Sequence, residues 1–535
     1  MNVLGIEGTA HTISVGIINE EKILSNQGSM YHSSTGGIHP REAANHHFEN
    51  VVPLIRSTLE VSGIRGSDID LIAYSEGPGL GPCLKIAATA ARSLSVKFNR
   101  PIIGVNHPLG HVEIGRRFTG VEDPAVLYLS GGNTQIIAHS NGRYRIFGET
   151  TDIGIGNMLD KFAREIGIGF PGGPAIEKLA LEGKELYELP YSVKGMDSSF
   201  SGILTAATRL ISKGKKKEDI SYSIQETAFS MMIEILERAL KHLGKHEILL
   251  TGGVARNQRL RDMVQKLGAE LGIKTGLTPK EYCSDNGAMI AHAGMLMYKS
   301  GVRTPIEESF VNQNSRIDQV PVNWVRSENL QDYRAYGAEA RIERSEFYER
   351  PALAKIRERK SYRNSGIDSM LRTLRTKTEI SNLMRMYDLK VNIPVVYDFD
   401  LENSIIKMQY ISGTTLSTLL RDRSFHDLTV ISDLARQVAQ IHNEGMSHGD
   451  LTTSNIMVDD SNRVILIDPS MGRASASLED KAGDIFLLLE SFRSAHSDRP
   501  KLGEEFLDQY RCFSSDYDEI RKRLDEIERR RRYLW

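Results

Sequence analysis

Short apolar runs separated by small polar turns dominate the beginning of the chain. Residues 3–18 and 126–138 each contain two apolar runs on either side of a tip rich in Gly, Ser and Thr, which is typical of a β-hairpin. Further strand signals and then helical patterns follow each hairpin. A third apolar run ends at a Gly-rich tip within 248–257 and precedes a basic, amphipathic stretch, 258–271, that predicts a helix. The pattern predicts a duplicated α/β unit.

The glycine content changes near Trp324. Of the 46 glycines in the 535 residues, 38 lie within 1–323, whereas charged side chains are more frequent in the remainder. Because a chain of this length exceeds the usual size of one folded core, we predict two domains, 1–323 and 324–535. Residues 304–323 contain prolines and several amides without clear periodicity, which indicates a linker or a segment that follows the surface.

Charge and cysteine content exclude several classes of protein. The 67 basic and 69 acidic side chains give a net charge of −2, so nucleic acid or an anionic membrane would have to bind a local patch. Three widely spaced cysteines, Cys83, Cys283 and Cys512, favour neither a disulfide framework nor a zinc ribbon. Because the sequence shows no export signal and no membrane-spanning apolar run, we predict a cytoplasmic protein with no membrane partner.

Glycine-rich tips at the ends of strands are candidate phosphate sites. Backbone N–H groups there can approach an anion without obstruction by a Cβ atom, and 130–134 and 251–253 both have this composition. Any single tip is also consistent with an ordinary tight turn. Three tips in a duplicated α/β frame resemble the actin, sugar-kinase and heat-shock ATPase superfamily, although Glu7 stands where most members have Asp. That difference argues against ordinary kinase or ATPase chemistry at the first hairpin.

Two histidines have the spacing of metal ligands. His107 and His111 follow an asparagine suited to cap a helix, and their i, i+4 spacing would place both on one helix face, although such pairs are also common on surfaces and in cores. Asp285, at the start of another predicted helix, is the leading third ligand, and Tyr128 is a fourth candidate. This donor set suits iron or zinc with open positions. Pro108 replaces the glutamate of H-E-x-x-H metalloproteases, which argues against peptide hydrolysis.

Eight ordered motifs in the first domain resemble the universal tRNA threonylcarbamoyltransferase family. They are G-I-E-G-T-A, N-H-P-L-G-H-V-E-I-G, Y-L-S-G-G-N-T-Q, D-I-G-I-G-N-M-L-D-K, F-P-G-G-P, F-S-G-I-L-T-A, L-L-T-G-G-V-A-R-N and S-D-N-G-A-M-I-A. The resemblance implies transfer of a threonylcarbamoyl group from threonylcarbamoyl-AMP to the adenosine next to the anticodon in tRNAs that read ANN codons. Because this donor is a mixed anhydride with AMP as leaving group, such a site needs mainly orientation and charge stabilisation.

The resemblance assigns roles position by position. It implies that His107, His111 and Asp285 bind one iron or zinc ion, with Tyr128 as a further ligand. It also implies that a phosphate-side loop and four further positions contact the adenylate. The loop consists of Tyr128, Leu129, Ser130, Gly131 and Gly132, and the further positions are Asp160, Gly173, Glu177 and Asn257. Glu7 is a candidate catalytic residue that would position or polarise the attacking amine, and a purely structural carboxylate is the alternative.

The second domain carries a signature of phosphoryl transfer. Asp450 in S-H-G-D-L and Asn455 lie ahead of a short apolar strand, and Asp468 follows that strand. These positions suit a catalytic base, Asp450, and two ligands of Mg²⁺. Upstream, Lys355 and Glu379 are candidates for a phosphate-anchoring lysine and its partner. Each alone is common as a surface charge, but in this order they predict a minimal, bilobal protein-kinase-like α+β domain that binds ATP.

Several motifs of the second domain differ from those of ordinary protein kinases, and the differences indicate which kind of kinase it resembles. Gly449 replaces the arginine of H-R-D, Pro469 and Ser470 replace Phe-Gly, and Gly337 marks a much reduced glycine-rich loop. The domain resembles the small atypical kinase of the KEOPS tRNA-modification complex, which implies a regulatory Ser/Thr kinase or ATPase. The fusion resembles an archaeal arrangement and implies two further small KEOPS subunits, one that dimerises and one that binds the kinase and captures tRNA.

Two alternatives remain at this level. The basic tail 521–535, which ends in four arginines followed by Tyr533, Leu534 and Trp535, could bind tRNA or be a solvated helix end. The first domain could be a nucleotide-switched scaffold in which only the kinase reacts. We favour a bifunctional tRNA-modifying enzyme whose fused domains contact each other, because one chain holds them at high effective concentration.

Overall fold

The computed structural model describes residues 1–32, 38–326, 340–422, 425, 427–495 and 499–533. The chain divides into two compact units, and the division falls between residues 326 and 340. Each unit encloses its own hydrophobic core. No helix within the described ranges is long and apolar enough to cross a membrane.

The first unit begins with a five-stranded sheet and three helices. These elements are β1 (Val3–Glu7), β2 (Thr12–Ile18), β3 (Ile23–Met30), α1 (Pro40–Ser62), β4 (Leu71–Gly77), α2 (Gly81–Phe98), β5 (Ile102–Asn106) and α3 (His107–Thr119). The strand order is β3-β2-β1-β4-β5. β1 and β2 form the predicted hairpin, whereas β4 pairs with β1 in parallel. α1 and α2 pack against this sheet through a core cluster that includes Val51, Ala87 and Ile6.

A second sheet of the same kind follows. Its elements are β6 (Ala125–Leu129), β7 (Thr134–Ser140), β8 (Arg143–Glu149), α4 (Ile155–Glu165), α5 (Gly173–Glu182), β9 (Val193–Lys194), β10 (Asp197–Ser198), α6 (Ser201–Ser212), α7 (Lys217–Leu243), β11 (Glu247–Thr251), α8 (Gln258–Leu271), β12 (Lys274–Leu277), α9 (Lys280–Cys283) and α10 (Gly287–Lys299). The order β12-β11-β6-β7-β8 repeats the first sheet, because three antiparallel strands are again joined by two parallel ones. The predicted duplicated α/β unit is confirmed.

Glycines let α10 lie directly on the first hairpin. A Cβ atom on Gly5 would lie 2.3 Å from the carbonyl oxygen of Gly287, and one on Gly16 would lie 2.4 Å from the backbone nitrogen of Ala288. Since real Cβ atoms do not approach backbone so closely, only glycine permits this packing. The contact brings the beginning of α10 next to the end of β1.

Residues 304–323 follow the surface of the first unit. The backbone nitrogen of Asn312 donates to the carbonyl oxygen of Glu76 at 2.7 Å, and Ile317 and Val322 are buried in the core of this unit. This is the second of the two alternatives predicted for the segment. The same core also contains Val325, so it extends beyond residue 323.

The second unit consists of a small sheet with one long helix, followed by a mainly helical part. Its elements are β13 (Arg341–Phe347), β14 (Arg350–Ile356), α11 (Ser365–Asp388), β15 (Val396–Asp400), β16 (Ile405–Gln409), β17 (Gly413–Thr415), α12 (Leu416–Leu419), α13 (Leu428–Asn443), β18 (Ile456–Asp459), β19 (Val464–Leu466), α14 (Leu478–Ala495), α15 (Leu502–Phe513) and α16 (Tyr517–Tyr533). The small sheet is antiparallel with order β13-β14-β16-β15, and β17-β18-β19 form a second sheet. This arrangement confirms the predicted α+β domain with two parts.

Candidate functional site

Two histidines project from the beginning of α3. Asn106, the last residue of β5, accepts a hydrogen bond on its Oδ1 from the backbone nitrogen of Leu109 at 3.2 Å, so it caps the helix as predicted. His107 and His111 are buried, and their ring centroids lie 4.8 Å apart. The i, i+4 spacing therefore places both imidazoles on the same face of α3.

Asp285 completes a three-residue cluster with these imidazoles. It directly precedes Asn286, whose side chain caps α10, so Asp285 stands ahead of the helix that it was predicted to open. Its Oδ1 lies 3.3 Å from Nε2 of His111 and 3.5 Å from Nε2 of His107. One ligand atom from each residue lies within 4.8 Å of the other two. This donor set fits a transition metal such as iron or zinc and leaves coordination positions open.

Glu7 lies behind His107, at the end of β1. Its Oε2 is 3.1 Å from Nδ1 of His107, and its Oε1 accepts hydrogen bonds from the backbone nitrogen and the hydroxyl of Thr9 at 2.8 and 2.5 Å. The Glu7 side chain is fully buried. A carboxylate on the second nitrogen of a metal-ligating histidine fixes the orientation of the ring and raises its basicity. This geometry favours a positioning role for Glu7 over direct contact with an attacking amine.

Neighbouring charges set the protonation of the cluster. Burial opposes a positive charge on His107, but the carboxylates of Glu7 and Asp285 outweigh it and raise the pKa of His107 to about 9. Burial lowers the pKa of His111. Burial also favours the neutral form of Asp285, yet His107 and His111 hold the pKa of that carboxyl well below its usual range. His111 and Asp285 are thus in the state that a metal ligand requires, whereas His107 must release a proton to bind.

Tyr128, the fourth ligand candidate, packs beside His111. The two rings are 5.4 Å apart between centroids, and the Tyr128 hydroxyl accepts a hydrogen bond from Nδ2 of Asn133 at 3.5 Å. Burial, reinforced by the charge of Asp285, raises the pKa of this fully buried phenol. A ligand role would therefore begin from a protonated phenol.

The second and third glycine tips meet beside the histidines. A Cβ atom on Gly252, whose φ is +96°, would lie 2.3 Å from the carbonyl oxygen of Leu129. One on Gly156 would lie 2.7 Å from the Cα atom of Gly131. The hydroxyl of Thr251 donates to the carbonyl oxygen of the α3 residue His111 at 3.0 Å. The predicted phosphate-side loop, 128–132, therefore lies against both the third tip and the start of α4, close to the candidate metal cluster.

Asp160 and Gly173 lie together at the junction of α4 and α5. Oδ1 of Asp160 accepts a hydrogen bond from the backbone nitrogen of Gly172 at 2.8 Å, and Gly173 begins α5. The preceding Phe170 meets the ring of His11 edge-on, with centroids 5.4 Å apart. His11 was not among the candidate site residues. Its position in the tip of the first hairpin, directly before the strand that begins T-x-S-V, could have identified it as a neighbour of the predicted nucleotide-contacting residues.

Glu177 and Asn257 meet at the beginning of α8. Oε1 of Glu177 accepts a hydrogen bond from the backbone nitrogen of Gln258 at 2.7 Å. Asn257 caps α8, because its Oδ1 accepts from the backbone nitrogen of Leu260 at 3.1 Å, and its Nδ2 donates to Gln225 at 2.9 Å. Glu177 and Asn257, both predicted to contact the nucleotide, therefore also accept hydrogen bonds from the first turn of α8, the helix that follows the third tip.

The second unit brings five predicted residues together. Nζ of Lys355 donates to both carboxylate oxygens of Glu379, at 2.9 and 3.0 Å, and lies 2.7 Å from Oδ1 of Asp468. Nδ2 of Asn455 donates to Oδ2 of Asp450 at 3.0 Å, and the residue before Asp468 donates its backbone N–H to the carbonyl oxygen of Asn455. Although burial favours the neutral acid, two nearby cations hold the pKa of Asp468 well below its usual range. This is the arrangement that anchors phosphates and Mg²⁺ in protein kinases.

Two buried residues outside the sequence prediction support this arrangement. Asp484 accepts hydrogen bonds from the backbone nitrogens of His448 and Gly449 at 2.6 and 2.8 Å and so fixes the loop that carries Asp450. Arg357 donates to Oε2 of Glu379 at 2.5 Å. Arg357 directly follows β14 and stands two residues after Lys355, and since residues two apart in an extended strand share a face, this spacing was a usable signal.

Two predicted features lie outside the described residues. Gly337, the mark of the reduced glycine-rich loop, falls in the segment 327–339. In the basic tail, α16 extends to Tyr533, but the side chains from 529 onward are not among those described. Binding of tRNA by these arginines stays a prediction.

Comparison with protein families identifies both units. The family described as tRNA N6-adenosine threonylcarbamoyltransferase (TsaD) matches residues 21–292, and the RIO domain matches residues 339–477. Members of these two families use a metal and ATP, which correspond to the two kinds of site described above. The matches lie on either side of the division between the two compact units.

Relatives match the chain over its whole length. A protein of Thermoplasma volcanium named "Probable bifunctional tRNA threonylcarbamoyladenosine biosynthesis protein" is 52% identical over 534 residues, covering 100% of both chains. Proteins of the same name from Thermoplasma acidophilum and Methanothermobacter thermautotrophicus are 53% and 46% identical, again covering 100% of both chains. The chain therefore belongs to the family of bifunctional tRNA threonylcarbamoyladenosine biosynthesis proteins, in which an actin-like transferase domain that modifies tRNA is followed by a RIO kinase-like domain.

Proposed function

We propose that the first unit transfers a threonylcarbamoyl group from threonylcarbamoyl-AMP to N6 of the adenosine next to the anticodon in tRNAs that read ANN codons. The N6 nitrogen attacks the carbamoyl carbon, the bond from that carbon to the phosphate oxygen breaks, AMP leaves, and N6 loses a proton. The observation that carries this proposal is the convergence of His107, His111 and Asp285 within 4.8 Å, beside two glycine-rich tips.

The residues of the chain bind and orient the reactants. His107, His111 and Asp285 would hold one iron or zinc ion, which when bound stabilises negative charge on an oxygen. Backbone N–H groups of the tips 130–132 and 252–253 would orient the phosphate of the donor. Glu7 fixes the ring of His107 through its 3.1 Å contact. Asp160, Gly173, Glu177 and Asn257 would contact the adenosine part of the donor, which is supported by their positions at the starts of α5 and α8 and at the junction of α4 and α5.

Transfer of labelled threonylcarbamoyl from the adenylate to a matching tRNA tests this proposal. Replacing one of three metal ligands removes the orienting centre, so His111→Ala is expected to reduce transfer by about 100-fold or more. His246→Ala is the matched control, because His246 is half-buried just before β11, at the opposite end of that strand from the glycine tip. Undiminished transfer by His111→Ala would rule out the metal role. Binding of the adenylate without its consumption would instead support the scaffold alternative.

We infer that the second unit is an ATP-dependent regulator of this reaction. Lys355 would contact the phosphates, Glu379 would hold Lys355, Asn455 and Asp468 would bind Mg²⁺, and Asp450 would accept a proton from the attacking hydroxyl or water. The 2.7 Å approach of Lys355 to Asp468 supports this assignment, because it joins the phosphate anchor to the proposed Mg²⁺ ligand.

The same assay tests regulation when it is followed over several turnovers. Asp450→Ala is expected to allow a first transfer per chain but not sustained turnover, whereas the wild type sustains it. Ser461→Ala, in the exposed turn between β18 and β19, is the control. Equal sustained turnover by Asp450→Ala would contradict the regulatory role. Phosphate release without labelling of any protein would distinguish an ATPase from a Ser/Thr kinase.

We further infer that two small KEOPS subunits complete the complex, one that dimerises and one that binds the second unit and captures tRNA, and that this complex acts in the cytoplasm. The near-neutral charge of the chain supports the need for a tRNA-capturing partner. Retention of labelled tRNA by the chain with and without these subunits tests this inference. Equal retention in both cases would show that the chain captures tRNA by itself.

A further inference from the structure

Arg357 is a second cation on the glutamate of the second unit's nucleotide site. Its Nη2 donates to Oε2 of Glu379 at 2.5 Å, and its Nη1 donates to the hydroxyl of Thr376, one turn earlier on α11, at 3.3 Å. Its backbone nitrogen donates to the carbonyl oxygen of Ser404 at 3.1 Å. Arg357 is 2% exposed and Glu379 is 1% exposed. The guanidinium is therefore docked on the same face of α11 as the glutamate, independently of Lys355.

Lys355 faces three carboxylate oxygens and donates a hydrogen bond to two of them, both on Glu379. Its ammonium group contacts Oε1 of Glu379 at 2.9 Å, Oε2 of Glu379 at 3.0 Å and Oδ1 of Asp468 at 2.7 Å. An ammonium group has three N–H donors and Glu379 occupies two of them, so Lys355 can turn more than one donor to nucleotide phosphates only by giving up part of this contact. If Asp468 holds Mg²⁺, its Oδ1 would no longer need the ion pair with Lys355. A second donor becomes free only if Oε2 of Glu379 keeps another partner.

We propose that Arg357 is a positioning residue of the nucleotide site: by holding Oε2 of Glu379, it releases Lys355 for the phosphates of ATP. Among the described residues, Lys355 and Arg357 are the cations on the buried Glu379, so without Arg357 this carboxylate would rely on Lys355, and a buried carboxylate that loses its cation is strongly disfavoured. Lys355 would then stay on the carboxylates rather than turn to the phosphates. This inference rests on the proposed nucleotide site at Lys355 and Asp468.

If Arg357 acts by releasing Lys355, its loss affects ligands that carry phosphates and spares the nucleoside. ATP needs the released donors of Lys355, whereas adenosine has no phosphate and does not. Loss of Arg357 should therefore weaken ATP and leave adenosine unaffected. A merely structural role, in which loss of Arg357 disorders the sheet or α11, would weaken both ligands alike.

ATP hydrolysis by the full chain and calorimetric binding of a non-hydrolysable ATP analogue with Mg²⁺ provide the test. Arg357→Gln is expected to raise KM for ATP and Kd for the analogue about tenfold, as for loss of one close, poorly screened charge, with Ki for adenosine unchanged. Arg357→Lys, which keeps the charge but not the fork of donors, is expected to recover part of the loss. Arg350→Gln is the control, because Arg350 is an exposed arginine at the start of β14, the strand that ends just before Arg357.

Several outcomes would overturn the inference. An unchanged KM in Arg357→Gln would do so, and so would a parallel rise of the values for ATP and adenosine. Should Arg357→Gln not fold by thermal unfolding, Thr376→Val, which removes only the second anchor of the guanidinium, must show a smaller rise for ATP alone. Lys355→Met tests the proposed nucleotide site separately from the role of Arg357. If this variant binds the analogue as tightly as the wild type, the proposed nucleotide site is wrong.

Discussion

The contact between Glu7 and His107 makes Glu7→Gln an informative change. The carboxylate accepts on both oxygens: Oε1 takes two hydrogen bonds from Thr9, and Oε2 faces Nδ1 of His107 at 3.1 Å. Glutamine has the same shape but replaces one oxygen with an NH₂ group. If that group faces Thr9, it opposes the backbone N–H, which is a donor. If it faces His107, it requires Nδ1 to accept, which moves the ring proton to Nε2, the nitrogen that faces Asp285.

The second orientation directly blocks metal binding, since Nε2 is the candidate ligand atom of His107. Loss of a carboxylate behind a metal-ligating histidine costs about 10- to 100-fold in metal affinity, or about 1.4–2.7 kcal/mol. We therefore expect Glu7→Gln to lower iron or zinc affinity within this range and to lower threonylcarbamoyl transfer at limiting metal.

Competition with a chelator of known affinity, followed by metal analysis of the protein, measures this change. Glu60→Gln, at an exposed position in the last turn of α1, provides the matched control and is expected to bind metal as the wild type does. Transfer by Glu7→Gln should recover at saturating metal. A Glu7→Gln protein with wild-type metal affinity would refute the positioning role, and lost transfer at full metal occupancy would show that Glu7 acts on the substrate instead.

Three further outcomes follow from the first unit. Because the pKa of His107 is raised to about 9 and metal must displace its proton, apparent metal affinity, measured by chelator competition, should rise about tenfold per pH unit from pH 7 to 9 and then level off. Burial lowers the pKa of His292 to about 3 in the folded protein. As the pH falls, His292 is therefore protonated in the unfolded protein before it is protonated in the folded one, which destabilises the folded state. Between pH 7 and 4, the free energy of unfolding measured in urea should fall by about 3 kcal/mol more in the wild type than in His292→Gln. Gly252→Ala should weaken adenylate binding in calorimetry and cost about 1–3 kcal/mol in thermal unfolding, since its φ is +96° and a Cβ atom would meet Leu129.

Local signals in the sequence account for the elements that were predicted well. The helix 258–271 has the predicted bounds because the capping residue directly before it, Asn257, and the apolar periodicity along it are both local features of the sequence. The same holds for the hairpin of β1 and β2, and for His107 and His111, whose shared face follows from helical spacing alone.

Contacts between distant parts of the chain were not accessible in this way. The role of Glu7 depends on a contact with a residue one hundred positions away, which forms because β1 and β5 are parallel strands on either side of β4 and end at the same edge of the sheet. Arg357 shares Glu379 because the fold brings α11 next to the residue that follows β14, twenty-two positions earlier in the chain. Residues 304–323 lack periodicity because single side chains at irregular positions, Ile317 and Val322, are buried in the core.

Metal-dependent transfer is the most direct test of the account. Labelled threonylcarbamoyl-AMP and a matching tRNA are incubated with the wild-type chain and its partner subunits, before and after removal of bound metal with a chelator. We expect label to reach the tRNA, chelation to abolish the transfer, and added iron or zinc to restore it. Transfer that continues unchanged in the chelated protein, or adenylate that binds but is never consumed, would contradict the account.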